Sequence, residues 1–214
     1  MKTDFKKCLD SYRARRDEIR VVEVPPLQYL MVDGHGDPNI DPTYAEALQV
    51  LYPLAYALKF ASKQDLGRDY VVPPLEGLWW AEDMAAFTTS RDKSAWSWTM
   101  MSMTPDWLGA EHVAAAQDTL ATKKPWLEVE RVRLGVLDEG LCVQTLHVGS
   151  FQDEGPVLAD LHERFIPEQG LAMTGKHHEI YLSDPRRTAP EKLKTILRQP
   201  VQPGAPSQQV RHLL

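Results

Sequence analysis

The sequence predicts an α+β domain made of two pseudo-symmetric halves, each laid out as strand, turn, helix, strand, with a cleft between them. Three observations point there. The first is a repeated order of elements. A strand at Leu27–Val32 enters the Gly-rich turn Asp33-Gly34-His35-Gly36-Asp37-Pro38, then a helix and the strand Leu75–Trp80. Leu141–Val148, the turn Gly149-Ser150-Phe151-Gln152-Asp153, a helix and a strand around Glu179 follow the same plan. The second is helical periodicity in both copies: Leu48, Leu51, Tyr52 and Ala55 in one, Leu158, Leu161 and Phe165 in the other. The third is a strand with two unlike faces, His177-His178-Glu179-Ile180-Tyr181-Leu182. Side chains alternate across a strand, so Ile180 and Leu182 share one face while Glu179 and Tyr181 share the other. The aliphatic face suits a helix-covered core, and the polar one suits either a wet surface or a ligand cleft.

Taken in order, residues 1–24 read as a charged arm packed on the body. The main domain spans 25–202, with repeats at about 25–105 and 128–200. The first long helix runs from Pro42 to about Lys63, and Pro53 inside it predicts a kink or a division into two short helices. Ala95–Met103 reads as a strand. Ala110, Val113, Ala114, Gln117, Leu120 and Ala121 mark a helix that Pro125 ends. Glu128–Leu137 reads as a strand, and Gly155–Gln169 as the second long helix. Lys192–Arg198 alternates imperfectly and fits strand or helix. The tail, 203–214, is rich in Pro, Gly, Ser and Gln and is expected to be disordered.

Composition excludes several classes. The chain has 43% hydrophobic and 25% charged residues and a net charge of −6, which suits a globular protein and argues against nucleic acid as partner. No apolar run approaches the roughly 20 residues that span a bilayer, so no membrane association is expected. The charged start carries no signal-peptide core. Cys8 and Cys142 form no CxxC pattern, which suggests a reducing, cytoplasmic setting. No cofactor is indicated, and no protein partner can be named.

Three constellations could carry chemistry. Glu179 with Tyr181 is one: a carboxylate in an apolar cleft can hold a cation or act as a base on water, while the same residue on a wet face would be an ion-paired strand Glu. The aromatic load is another. Trp79, Trp80, Trp96, Trp98, Trp107 and Trp126 crowd into one stretch, with Tyr52, Tyr56 and Tyr70 before them. Any single Trp belongs to the core by default, yet aromatic walls around one carboxylate suit flat apolar or cationic molecules. Met100, Met101 and Met103 would serve as core filler or as adaptable pocket surface. Histidine is the third. Adjacent His177 and His178 point opposite ways, and His35, His112, His147 and His162 show no metal-ligand spacing, so no metal site is expected. Asp33-Gly34-His35-Gly36 lacks the Lys and spacing of a phosphate loop, and no serine sits in a nucleophile elbow.

Pro74-Leu75-Glu76-Gly77-Leu78-Trp79, Gly140-Leu141-Cys142-Val143-Gln144, Leu146-His147-Val148-Gly149-Ser150-Phe151, Lys176-His177-His178-Glu179-Ile180-Tyr181-Leu182-Ser183-Asp184 and Pro190–Arg198 resemble the GyrI-like small-molecule-binding family. The likeness covers about residues 20–202. It implies a duplicated β-α-β-β (SHS2) module: an antiparallel sheet, helices on one face, and a ligand cleft between the copies. It also implies two kinds of function. Some members sense cationic aromatic drugs for transcription regulators; a standalone subfamily hydrolyses the cyclopropane ring of DNA-alkylating cyclopropanoids within an aromatic cage. The Trp-rich insertion between repeats and the lack of a helix-turn-helix segment make this chain resemble the second group. The resemblance then implies Glu179 and Tyr181 as catalytic residues and a cage of Tyr56, Trp79, Trp98 and Phe151. Trp80 departs from the family pattern and would narrow the pocket. The expected partner is a flat aromatic or cationic xenobiotic. A non-catalytic drug-binding protein is the rival reading, and a protein inhibitor a third.

Overall fold

The protein is seen in a computed structural model that describes residues 2–82 and 92–204. The chain opens with β1 (Lys2–Thr3) and the one-turn α1 (Phe5–Cys8). Then come β2 (Arg20–Val24), β3 (Leu27–His35), α2 (Pro42–Asp65), β4 (Asp69–Tyr70), β5 (Leu75–Trp80) and β6 (Ser97–Met103). After α3 (Ala110–Lys123) follow β7 (Arg133–Leu137) and β8 (Gly140–Val148). The second helical region is α4 (Gly155–Ala159), a π-helical turn (Asp160–Phe165) and α5 (Ile166–Glu168). It leads to β9 (Leu171–Met173), β10 (His177–Tyr181) and β11 (Lys194–Pro203). The tail expected to be disordered lies, from residue 205 on, outside the described residues.

The main sheet is antiparallel and runs β2-β8-β11-β10-β5-β6-β3-β7, with β9 added on β11. Its order is symmetric about the β10–β5 pair. Moving outward, β10-β11-β8-β2 mirrors β5-β6-β3-β7. Each half therefore lends its first strand to the other half's edge. Only Pro25 and Pro26 join β2 to β3 across nearly the whole order. Two linking residues reach roughly 10 Å at full extension, so the sheet must curl until its ends approach.

Strand alternation then fixes two environments. The helices cover one face, where α2 and α3 pack on Leu30, Val32, Trp98 and Met100, and the second helical region packs on Val143 and Val201. Ile180 faces the other way. It packs with Tyr12, Ile196 and Leu9, so the aliphatic face of β10 is covered by the N-terminal arm and not, as the sequence suggested, by the long helices. It is the Glu179 face that looks toward the helices.

The arm is held on the face opposite the long helices by a buried polar network. Glu76 accepts hydrogen bonds from Tyr12 and from Tyr29, and His178 Nε2 lies 3.0 Å from it. His178 Nδ1 contacts Glu139 at 3.0 Å, and Arg198 bonds Glu139 at 2.9 Å and the Ser11 carbonyl at 2.6 Å. Gln144 donates to the Arg13 carbonyl at 2.9 Å. Ion pairing outweighs burial here: Glu139 is held down at about 2 and His178 raised to about 9.

Other expectations shift in detail. Asp33, Gly34 and His35 belong to β3 and not to a turn, because the Trp98 ring lies across Gly34 where any Cβ would collide with it. The chain turns only at Gly36, whose φ of +105° suits glycine. Asp41 caps α2 by accepting from Thr43 N at 2.9 Å. The helix continues through Pro53 without division. The strand expected from Glu128 is a 3-10 turn until Arg131 and pairs only from Arg133. Lys192–Arg198 resolves as strand from Lys194, and extends to Pro203.

Candidate functional site

A cleft of about 990 Å³ opens over the centre of the pseudo-symmetry, between α2 and the turn that enters α4. Its floor is the helix-facing side of β5 and β10, which carries Trp79, Glu179 and Tyr181. One wall is a stripe of α2, Tyr44, Leu48, Tyr52 and Tyr56, set at helical spacing. The other is Phe151 and Glu154.

The floor is a chain of hydrogen bonds. Trp79 Nε1 donates to Tyr181 Oη at 3.0 Å, and Tyr181 Oη donates to Glu179 Oε2 at 2.7 Å. An indole N–H can only donate, so it fixes the direction of the phenol proton toward the carboxylate. His177 Nε2 stands 3.6 Å from Glu179 Oε1, within ion-pair range but beyond a hydrogen bond. Burial and the Glu179 charge push the Tyr181 and Tyr44 phenols well up, so both stay protonated donors. Gly77 makes this chain possible. A Cβ there would sit 2.9 Å from Trp79 Nε1 and 3.2 Å from Tyr181 Oη.

Aromatic rings line the rest. Phe151 meets Tyr181 edge-on at 5.7 Å, Tyr44 tilts against Trp79 at 6.2 Å, and Trp96 meets Trp79 edge-on at 5.8 Å. Tyr56 and Phe151 are each about half exposed, as cleft walls facing solvent would be.

The structure thus gathers Glu179, Tyr181, Trp79, Tyr56 and Phe151 around one space, and leaves two candidates out. Trp98 has no exposed surface; it is core, wedged against Gly34 behind Tyr44. Trp80 alternates to the opposite face, where Lys176 Nζ lies 3.1 Å from its ring centre, so it cannot narrow the pocket. Trp96 takes the cleft-lining position instead, just before β6 begins.

Sequence reading missed Glu154. It is only 5% exposed, and its Oε1 has no hydrogen-bond partner among the described residues. Burial, then repulsion from Glu179, raises its carboxyl to about 10, so it keeps its proton at neutral pH. Nothing in Gln152-Asp153-Glu154-Gly155 marks that residue; only the fold brings it opposite β10. Among the described residues no group of three or more His, Cys, Asp or Glu side chains could hold a metal ion, and no helix is long and apolar enough to cross a membrane.

Residues 17–202 match the family model of the GyrI-like small-molecule-binding domain. The chain belongs to this family. It is similar to an uncharacterized conserved protein from Listeria innocua, with 42% identity over 94% of this chain and 100% of the other, and a TM-score of 0.86. It is also similar to a hydrolase from Listeria innocua, with 41% identity over 94% and 100% and a TM-score of 0.82. The C-terminal domain of EcmrR shares the fold at 10% identity, over 86% of this chain and 97% of the other, with a TM-score of 0.54. No curated protein sequence matches the chain.

Proposed function

We propose that this protein is a hydrolase that adds water to the activated cyclopropane ring of DNA-alkylating cyclopropanoids, detoxifying them. The observation that carries the reading is the oriented chain Trp79, Tyr181, Glu179 on the floor of an aromatic slot. The Listeria protein described as a hydrolase, alike over nearly the full length of both chains, adds weight.

The chemistry asks little of the protein. A flat substrate lies between Tyr56, Phe151 and Trp79. Glu179 takes a proton from water as the oxygen bonds the ring methylene. The strained C–C bond breaks, and its electrons pass into the conjugated dienone, which becomes a phenolate. Strain release and aromatisation drive the step; the cleft supplies position and a base.

Incubation with a spirocyclopropyl dienone, read by mass spectrometry, tests this. The expected product has gained one water. Glu179→Gln should lower turnover by about 10²–10⁴-fold, the usual worth of a general base, with substrate affinity largely kept. An unimpaired variant would remove Glu179 from the role. The rival is a non-catalytic binder of aromatic cations, which a carboxyl group among ring faces also suits. It predicts saturable quenching of Trp fluorescence with no product.

A further inference from the structure

We propose that Glu154 is the proton donor of this cleft, paired with Glu179 as base, and that the pair opens epoxides carried on flat aromatic frameworks as well as strained carbocycles. The inference rests on the hydrolase reading and extends it to a second substrate class.

Four observations lead there. Glu154 and Glu179 line the same cleft, one from the turn that enters α4 and the other from β10. Their surroundings differ. Glu179 accepts a hydrogen bond from Tyr181 and has His177 Nε2 3.6 Å away. Glu154 has one oxygen without a hydrogen-bond partner among the described residues, and the charge that acts on it is that of Glu179. A buried polar group left unpaired is destabilising, a cost the fold accepts where a ligand completes the site. Finally, a carboxyl that burial keeps protonated, in one cleft with a second carboxyl open to water, offers a proton donor beside a base.

An epoxide is the substrate that needs both. Water bonds one ring carbon while Glu179 takes the water's proton. The C–O bond breaks, and the departing oxygen takes the Glu154 proton, which gives a vicinal diol. The carboxyls end with exchanged protonation, and one proton passing back through the open cleft resets them. In the cyclopropane reaction the same donor would serve the oxygen of the forming phenolate. No redox partner or metal is required.

The test uses the whole protein with styrene oxide in water enriched in heavy oxygen, beside the spirocyclopropyl compound. The expected result is a diol carrying one heavy oxygen, with kcat lowered at least about 100-fold in Glu154→Gln and Trp fluorescence titrations unchanged within about threefold, roughly half of the 1.4 kcal/mol that a factor of ten represents. A folding defect in the variant is set aside by a second readout on the unaltered protein. Its kcat must fall as alkaline pH removes the Glu154 proton, in a cleft where Glu179 and Tyr181 on β10 and Tyr44 on α2 face that group. Diol formed equally well by the variant overturns the proposal, as does a flat alkaline profile. Cyclopropanoid hydrolysis without any diol overturns it and leaves the hydrolase reading standing. Diol without cyclopropanoid hydrolysis overturns the action on strained carbocycles, and the cyclopropane reading with it, while the acid–base pair stands for epoxides. Neither product removes both.

Discussion

Replacing Glu154 by Gln should make the protein more stable at neutral pH while it lowers activity. In the unfolded chain this carboxyl ionises near ~4.3. In the folded protein, burial and the Glu179 charge hold its proton to about 10. Between those values the folded state binds more protons than the unfolded one, so stability falls as pH rises, by about 1.4 kcal/mol per pH unit for one group. From ~4.3 to neutrality that amounts to about 3 kcal/mol, as an upper bound for two carboxyls that share a site. Gln carries no such burden. For a chain of this size each kcal/mol moves Tm by about 2–4 °C, so Glu154→Gln should melt up to about 10 °C higher at pH 7. At pH 4, where both states hold the proton, the two proteins should melt together. Thermal melts of both proteins from pH 4 to 8 measure this. A Tm difference that does not grow with pH would refute the protonated Glu154 and the acid role built on it.

Other outcomes follow from the same geometry. Gly77→Ala should push Trp79 and Tyr181 apart, weaken ligand binding measured by Trp fluorescence about tenfold or more, and cost about 1–3 kcal/mol by overpacking. Trp80→Phe should leave ligand affinity within about twofold, since its ring faces away from the cleft, whereas Trp79→Phe removes the donor that orients Tyr181, worth about 1 kcal/mol, or roughly fivefold in affinity. Glu139→Ala should destabilise by about 3–5 kcal/mol in urea melts, because His178 and Arg198 lose their buried counter-charge. The raised His178 contributes stability in full below its unfolded value near ~6.5 and loses it as pH climbs toward about 9. The depressed Glu139 contributes above ~4.3 and loses it as pH falls toward about 2. Urea midpoints of Glu154→Gln across pH should therefore be highest between about 4.3 and 6.5.

The sequence by itself determined the long helix α2, the repeat of elements and the strand of Glu179. Two periods carry that information, 3.6 along α2 and 2 along β10, and both are local properties of the chain. Alternation alone puts Glu179 and Tyr181 on one face. Alternation also separates Trp79 from Trp80, although the expectation was that Trp80 would narrow the same pocket. What only the tertiary structure decided is which residues from distant strands and turns meet. Glu76, Glu139, His178 and Arg198 come from four places in the chain, and no spacing announces that they share one buried site holding the N-terminal arm. Trp98 and Gly34 have to be paired across β3 and β6 before either is explained. Glu154 sits in an ordinary loop sequence. Its retained proton arises from the lost water around it and from a like charge brought close by folding, and neither is written in its neighbours along the chain.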